Sequence, residues 1–257
     1  MGKELKEEII YIAGYGRSGS TLLDIILSNA KNSFTLGEIS NVFNEKENIT
    51  DNFYATILKN TLLNLSYSDS QIKKIRHADQ YFYLYNEKYP ALWKTFLNKI
   101  NSNQEIKYFI DSSKTTWQTL FRPLNLKKSG FEVKIIFLKA SYSKVWKSTL
   151  KGSNKSLQKS TLPRQKNILF AVKSLISKFL IDSLTSCVYS KKNVVKINYD
   201  DLINKPHETI KRIELKLDIE LEELNQKINQ NKYLVKGGYL GNRLRKENTY
   251  ISINKSQ

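Results

Sequence analysis

The sequence has little of the chemistry that holds metals or forms disulfides. Its 257 residues include one cysteine, Cys187, and two histidines. One cysteine cannot form an internal disulfide, and this set leaves few ligands for a zinc or iron site. We therefore predict no structural metal and assign Cys187 to packing.

Long apolar runs are also missing. No stretch approaches the roughly 20 apolar residues of a membrane-spanning helix, and the opening residues MGKELKEEII contain no apolar signal region. We expect no membrane span and, by default, a cytoplasmic protein. The length and an apolar fraction of 40% predict one globular domain over residues 1–257, large enough for an α/β core.

Arginine is scarce although the chain is strongly basic. The formal net charge is +18, yet only seven of the 42 basic residues are arginine. Such a charge permits an anionic partner, but the lysines are scattered and no nucleic-acid module is present. We interpret most of the charge as solvated surface, predict no specific nucleic-acid partner, and take the Lys-, Asn- and Ile-rich composition to favour a bacterial source.

The strongest local pattern lies at residues 8–27. An apolar run at residues 9–12 predicts a buried strand, a glycine-containing turn follows, and residues 21–27 predict a helix. In this arrangement the free N–H groups of the turn and of the first helical turn converge, which favours an anion. A glycine turn that only packs the helix on a sheet is the alternative interpretation.

The glycine spacing is that of a phosphate-binding P-loop without its lysine. The spacing of Gly14 and Gly19 and the position of Thr21 are those of the loop in nucleotide triphosphatases. Ser20 stands where lysine would reach the β and γ phosphates. Arg17, inside the loop, is therefore the candidate to supply positive charge.

The segment RSGSTLL after a strand resembles the 5′-phosphosulfate loop of sulfotransferases that use 3′-phosphoadenosine 5′-phosphosulfate (PAPS). The resemblance implies PAPS as co-substrate, its desulfated form PAP as product, and no metal. It also implies a P-loop-NTPase-like three-layer α/β fold, with about five mostly parallel strands and helices on both faces. The residues it assigns to the phosphosulfate are Arg17, Ser18, Gly19, Ser20, Thr21 and Leu22.

Two further strand ends carry candidate catalytic residues. Residues 33–36 predict a strand that ends at Gly37 and Glu38, and residues 106–110 predict one that runs into Asp111-Ser112-Ser113-Lys114. Ligands bind at such carboxyl ends in open α/β sheets. Similar segments occur in sulfotransferases, so the resemblance implies Glu38 as general base and Lys114 as a cation for the transferring sulfuryl group.

These segments also have plainer interpretations. Glu38 is equally typical of a surface residue that caps the next helix, and the serines after Asp111 are typical of a helix cap. A strand that ends in Asp111 also resembles the Walker B segment of a magnesium-dependent NTPase. These alternatives stay open on the sequence alone.

Four residues are assigned to the nucleotide by resemblance. Residues 133–138 predict a central parallel strand that ends at Lys139, where sulfotransferases have arginine. Ser148 on the next helix matches the serine that holds the 3′-phosphate, one residue beyond the usual spacing. Tyr199, after a predicted strand at residues 194–197, matches a tyrosine near the adenine, although such tyrosines also commonly cover a sheet. Arg245, in a Gly-Asn-x-x-Arg segment, matches a basic residue that closes over the nucleotide.

The segments between these motifs are predicted to be mainly helical. Residues 51–103 predict an insertion of about three helices, whose tyrosines are interpreted as packing, with an acceptor pocket as the alternative. Residues 151–165 are polar and aperiodic, which indicates a mobile lid. An amphipathic helix over 166–189, a helix opened by Pro206 and an acidic helix near 220–228 follow.

The sequence thus predicts an enzyme that transfers a sulfuryl group from PAPS to a hydroxyl or amine. The acceptor, a small molecule, a glycan or a lipid, is not readable from the sequence, and neither is the oligomeric state. Two alternatives remain: a P-loop kinase or NTPase that uses Asp111 to bind magnesium, and a non-catalytic module that binds a polyanion and has a vestigial loop.

Overall fold

The computed structural model contains a five-stranded, all-parallel sheet. It describes residues 8–43, 53–82, 85–102, 105–150, 164–189, 193–221, 223–238 and 249–253. The strands of the sheet are β1 (Glu8–Ala13), β2 (Ser33–Gly37), β3 (Tyr108–Asp111), β4 (Glu132–Lys139) and β5 (Val194–Asn198). Their order is β2-β3-β1-β4-β5, and β6 (Tyr233–Leu234) pairs antiparallel with β7 (Tyr250–Ile251).

Helices cover both faces of this sheet, so the predicted three-layer α/β fold is confirmed. The helices are α1 (Ser20–Leu27), α2 (Phe53–Asn64), α3 (Asp69–Ala78), α4 (Lys88–Asn101), α5 (Arg122–Lys128), α6 (Tyr142–Leu150), α7 (Arg164–Val188), α8 (Tyr199–Asn204), α9 (Pro206–Leu217) and α10 (Leu224–Gln230). A 3-10 helix also covers Ile39–Phe43. The helical insertion after β2 consists of α2, α3 and α4.

The core has two halves because both faces of the central strands are apolar. Along β1, Ile9 and Tyr11 point to one face, where they join Trp93 and other residues of the helical insertion. Ile10 and Ile12 point to the other face, in a cluster with residues of α1, α8 and α9. Side chains alternate across a strand, so successive residues of this near-continuous apolar run are buried in alternate halves of the core.

The long helix α7 departs from a simple amphipathic arrangement. Its buried positions include Ala171, Ser174 and Lys178, whereas the apolar Leu169 and Phe179 are exposed. Helical periodicity reveals an apolar stripe but not whether a neighbouring element covers it. Cys187 is likewise exposed on this helix, so the assignment of this cysteine to packing is wrong.

The acidic helix begins later than predicted, and most of the predicted lid is not described. The acidic helix expected from residue 220 begins at Leu224, because Ile219 and Leu221 are buried outside regular structure and the N–H of Leu221 donates to Glu214 Oε1 at 2.8 Å. Of the predicted lid, residues 151–163 lie outside the described residues, and Arg164 already begins α7.

Within the described parts of the chain, no helix combines the length and apolar character needed to cross a bilayer.

Candidate functional site

The phosphate-loop sequence lies between β1 and α1, at the centre of the sheet. Because β1 has β2 and β3 on one side and β4 and β5 on the other, the loop sits where α/β sheets commonly bind ligands. Hydrogen bonds join it to the segment after β3. The N–H of Gly14 donates to Thr115 Oγ1 at 3.2 Å, and the N–H of Thr115 donates to the Gly14 carbonyl at 3.0 Å.

Gly19 and Tyr199 meet at the start of α1. Gly19 has a φ of +93°, and a Cβ added there would lie 2.2 Å from the Tyr199 ring. Only glycine permits both this backbone conformation and this approach. The predicted adenine residue therefore packs directly on the predicted phosphate loop.

Ser18 and the first turn of α1 offer hydrogen-bonding groups to an anion. The Oγ of Ser18 is buried and has no hydrogen-bond partner among the described residues. Helix α1 has no side-chain N-cap hydrogen bond, and the N–H groups of a first helical turn have no intrahelical acceptor. Ser20, Thr21 and Leu22, which form this turn, are buried. This donor set fits a phosphate or sulfate group.

Arg17 and Ser148 are brought together across 131 residues of sequence. Arg17 Nη1 donates to the Ser148 carbonyl at 2.7 Å and to its Oγ at 2.8 Å. Partial burial lowers the pKa of Arg17 from its ordinary value. Lys139 has no contact of this kind with Arg17 or Ser148 among the described residues. Its Nζ is 5.0 Å from the centre of the Phe137 ring, and Lys139 lines a groove of about 830 Å³ together with Tyr142 and Asp200. Arg245 lies outside the described residues.

The two remaining predicted catalytic residues form an ion pair. Lys114 Nζ donates to Glu38 Oε1, and Asn41 Nδ2 donates to Glu38 Oε2 at 3.2 Å. Lys114 has a φ of +63°, and its carbonyl accepts hydrogen bonds from Tyr11 and Thr119, both at 2.7 Å. The ends of β2 and β3 thus bring a carboxylate and an ammonium together, and Thr115, the residue after Lys114, is hydrogen-bonded to Gly14 of the loop.

A buried ion-pair triad lies behind this pair, and sequence reasoning missed it. Arg122 Nε donates to Asp111 Oδ2 at 2.7 Å, and Arg122 Nη1 donates to Asp79 Oδ2 at 2.9 Å. All three side chains are buried. Burial opposes the charge on Arg122, but Asp111 and Asp79 outweigh it and raise its pKa well above the ordinary value. Asp111 therefore serves a structural ion pair.

Lys144 is a second residue that sequence reasoning missed. Its Nζ lies over the Tyr199 ring, so α6 reaches the loop through both Lys144 and Ser148. Burial lowers the Lys144 pKa to about 8, against the opposing effect of Asp200. The sequence held one signal for Lys144, its spacing of four residues from Ser148, because residues four apart share one face of a helix.

Two tyrosines of the helical insertion, Tyr85 and Tyr89, follow the packing interpretation. Tyr89 is fully buried and its OH donates to Asp79, and Tyr85 OH pairs with Ser129 Oγ at 3.2 Å. Tyr81 is exposed, and Tyr83 lies outside the described residues.

Several solved structures share this fold. The sulfotransferase domain from the curacin biosynthetic pathway has a TM-score of 0.53 and 18% identity, covering 97% of this chain and 88% of that chain. The sulfotransferase domain from the Synechococcus PCC 7002 olefin synthase has a TM-score of 0.53 and 16% identity, with coverages of 99% and 88%. A sulfotransferase from Mycobacterium avium has a TM-score of 0.52 and 12% identity, with coverages of 87% and 68%. No protein-family model and no curated protein matches the sequence. At these identities the likeness establishes a sulfotransferase fold and nothing finer.

Proposed function

We propose that this chain is a sulfotransferase that transfers a sulfuryl group from PAPS to a hydroxyl or amine. The observation that carries the proposal is the Glu38–Lys114 ion pair, whose lysine precedes the Thr115 that is hydrogen-bonded to Gly14 of a phosphate loop that lacks lysine. The loop offers N–H groups to a phosphosulfate. The ion pair adds a candidate proton acceptor and a cation next to it.

The proposed reaction is an in-line displacement at sulfur. The acceptor oxygen or nitrogen bonds to sulfur while the bond from sulfur to the bridging phosphate oxygen breaks. PAP leaves with the electron pair of that bond, and Glu38 takes the acceptor proton. Arg17, Lys114 and the loop N–H groups stabilise negative charge on the sulfuryl oxygens and on the leaving oxygen. The scheme assigns no step to a metal ion.

The nucleotide part of PAPS is assigned to the groups around the loop. Ser18 Oγ, which is buried without a partner among the described residues, and the N–H groups of the first turn of α1 are the candidates for the 5′-phosphosulfate. Tyr199 packs on Gly19 and is the candidate for the adenine. Ser148 is the candidate for the 3′-phosphate, and Lys139 and Arg245 remain assigned to that phosphate by resemblance.

One observation favours this reaction over a kinase or NTPase activity. The Asp111 carboxylate accepts hydrogen bonds from Arg122 Nε at 2.7 Å and from the Ser113 N–H at 2.9 Å. A Walker B aspartate acts by binding magnesium, whereas both oxygens of Asp111 are engaged within the protein. Ser20 in place of the loop lysine also argues against a kinase or NTPase activity.

The test is transfer of radiolabelled sulfate from PAPS. The protein is incubated with labelled PAPS and, separately, glucose, glucuronate, 2-naphthol and tyramine, which represent sugar, sugar acid, phenol and phenolic amine acceptors. We expect enzyme-dependent label in at least one acceptor, with one PAP released per sulfate transferred. Label that stays in PAPS and free sulfate with every acceptor would contradict the proposal.

A further inference from the structure

A small cavity opens beside the Glu38–Lys114 ion pair. Its volume is about 100 Å³, and Glu38, Lys114, Arg76 and Asp79 line it together with small polar side chains. We call it the Glu38 cavity. Pockets that enclose a whole small-molecule ligand begin at about 300 Å³, so the Glu38 cavity has room only for the reacting end of an acceptor.

Every described residue that lines the Glu38 cavity has a polar or charged side chain. Besides the charged residues, it consists of serine, threonine, asparagine and glutamine side chains, and includes no aliphatic or aromatic residue among those described. An apolar acceptor end would leave these groups without hydrogen bonds, which costs free energy when they are desolvated. A polyhydroxylated acceptor end would supply partners for them.

Arg76 adds a cation for which the described residues provide no partner. It lies on α3 and is half-buried, and it makes no hydrogen bond or ion pair to a described residue. The two carboxylates that face the Glu38 cavity already have donors, since Glu38 is bound by Lys114 and Asp79 by Arg122. The five N–H donors of a guanidinium suit a carboxylate or phosphate, which they bind with two parallel hydrogen bonds.

Charge balance alone gives Arg76 a plainer role. Asp79 and Asp111 share one guanidinium, that of Arg122, so the triad carries an excess negative charge that a nearby cation offsets. That role leaves the N–H groups of Arg76 unused. It also predicts that replacing Arg76 changes stability without changing which acceptors react.

We infer that the acceptor is a small hydroxylated anion, a sugar acid or sugar phosphate, whose charged group binds Arg76. One hydroxyl near that group then reaches Glu38, the uncharged polar side chains of the lining contact this same end, and the rest of the acceptor lies outside the cavity. This inference rests on the proposed sulfotransferase function and names its acceptor class.

The test compares sugars with and without an anionic group at carbon 6, together with an apolar acceptor. Sulfate transfer from labelled PAPS is measured with glucose, glucuronate and glucose 6-phosphate, and with 2-naphthol as the apolar acceptor. We expect the KM for at least one anionic sugar to be about 10- to 100-fold below that for glucose, the range that a charge-assisted hydrogen bond gives. Comparing glucuronate with glucose 6-phosphate separates a carboxylate from a phosphate.

Variants at Arg76 separate recognition from charge balance. Arg76→Gln should remove the KM difference between anionic and neutral sugars, and Arg76→Lys should restore part of it, because lysine keeps the charge without the fork. Arg212→Gln, at an exposed arginine of α9, is the matched control and should leave the difference intact. An unchanged difference in Arg76→Gln would overturn the inference.

A binding measurement distinguishes failure of this inference from failure of the proposed function. The melting temperature is measured with PAP for the wild type and for each variant. Stabilisation by PAP together with preferred transfer to 2-naphthol, or with transfer to glucose but to neither anionic sugar, would overturn the acceptor class and leave the function standing. No stabilisation by PAP and no transfer to any acceptor would overturn both.

Discussion

At the scale of single residues, Gly19 is the position where the loop has no room for a side chain. An added Cβ would lie 2.2 Å from the Tyr199 ring, at a φ of +93°. Gly19→Ala should therefore lower the free energy of unfolding by about 1–3 kcal/mol and weaken PAP binding. Chemical denaturation and PAP titration measure the two effects.

Gly16 supplies a control within the same loop. A Cβ added there meets no atom within 4 Å, and Gly16 is absent from the residues with positive φ. Gly16→Ala should therefore leave the free energy of unfolding nearly unchanged. Equal losses of stability in Gly16→Ala and Gly19→Ala would show that Tyr199 does not constrain the loop.

In the proposed reaction, Glu38 is the residue that accepts the proton of the acceptor group. Glu38→Gln keeps the shape and the hydrogen bond to Lys114 but cannot accept a proton at neutral pH. We expect turnover with PAPS to fall about 10²- to 10⁴-fold, the usual contribution of a general base, while PAP affinity changes little. Steady-state kinetics and PAP titration provide the measurements, and wild-type turnover in Glu38→Gln would remove this residue as the base.

At the scale of elements, Arg122 ties the helical insertion to the sheet. It lies at the start of α5 and binds Asp79, just after α3, and Asp111, at the end of β3. Arg122→Gln leaves two buried carboxylates without their cation, so the free energy of unfolding should fall by about 3–5 kcal/mol. Urea denaturation checks this, with the exposed Arg212→Gln as control, and similar stability of the two variants would contradict the structural role of the triad.

Lys144 couples α6 to the start of α8 in a pH-dependent way. Burial lowers its pKa to about 8 from an ordinary value of 10.5. Between these values the unfolded chain binds more protons than the folded chain, so stability should rise with pH through this window. Lys144→Met should flatten that rise, measured as the urea midpoint from pH 7 to 10.5, whereas Lys173→Met, at an exposed lysine of α7, should not. Identical pH profiles for Lys144→Met and the wild type would contradict the assignment.

The elements were predictable from the sequence to the extent that local patterns determine them. The apolar runs of β1 and β4 and the helical spacing between residues 51 and 103 each carry their own signal. The exposure of the apolar stripe on α7 carries none, because it depends on which elements lie next to the helix. The start of α10 was misplaced because acidic composition alone does not distinguish a helix from the buried, irregular segment at Ile219 and Leu221.

Parts of the candidate site were predictable one residue at a time but not as contacts. Glu38 and Lys114 each followed a predicted strand, yet their pairing requires β2 and β3 to be neighbours, which is a property of the strand order. The contact between Arg17 and Ser148 likewise joins the loop after β1 to the helix after β4, and it requires these two strands to be neighbours. Arg122 had no local signal, since its partners lie 11 and 43 residues away.

At the scale of the whole molecule, the order of strands assembles the site. The order β2-β3-β1-β4-β5 brings the phosphate loop, the ends of β2 and β3, and helix α6 to one edge of the sheet. A formal charge of +18 adds long-range attraction for an anionic donor and acceptor, an attraction that salt screens. This edge is therefore the proposed binding site for PAPS and its product PAP.

The measurement that tests this claim most directly is the melting temperature with PAP and, separately, with ATP and magnesium. A ligand at 100 times its dissociation constant stabilises the folded state by about 2.7 kcal/mol, which raises the melting temperature by several degrees in a chain of this size. We predict that PAP produces this increase in the wild type and a smaller one in Gly19→Ala, and that ATP with magnesium does not. An increase with ATP and magnesium and none with PAP would contradict the account.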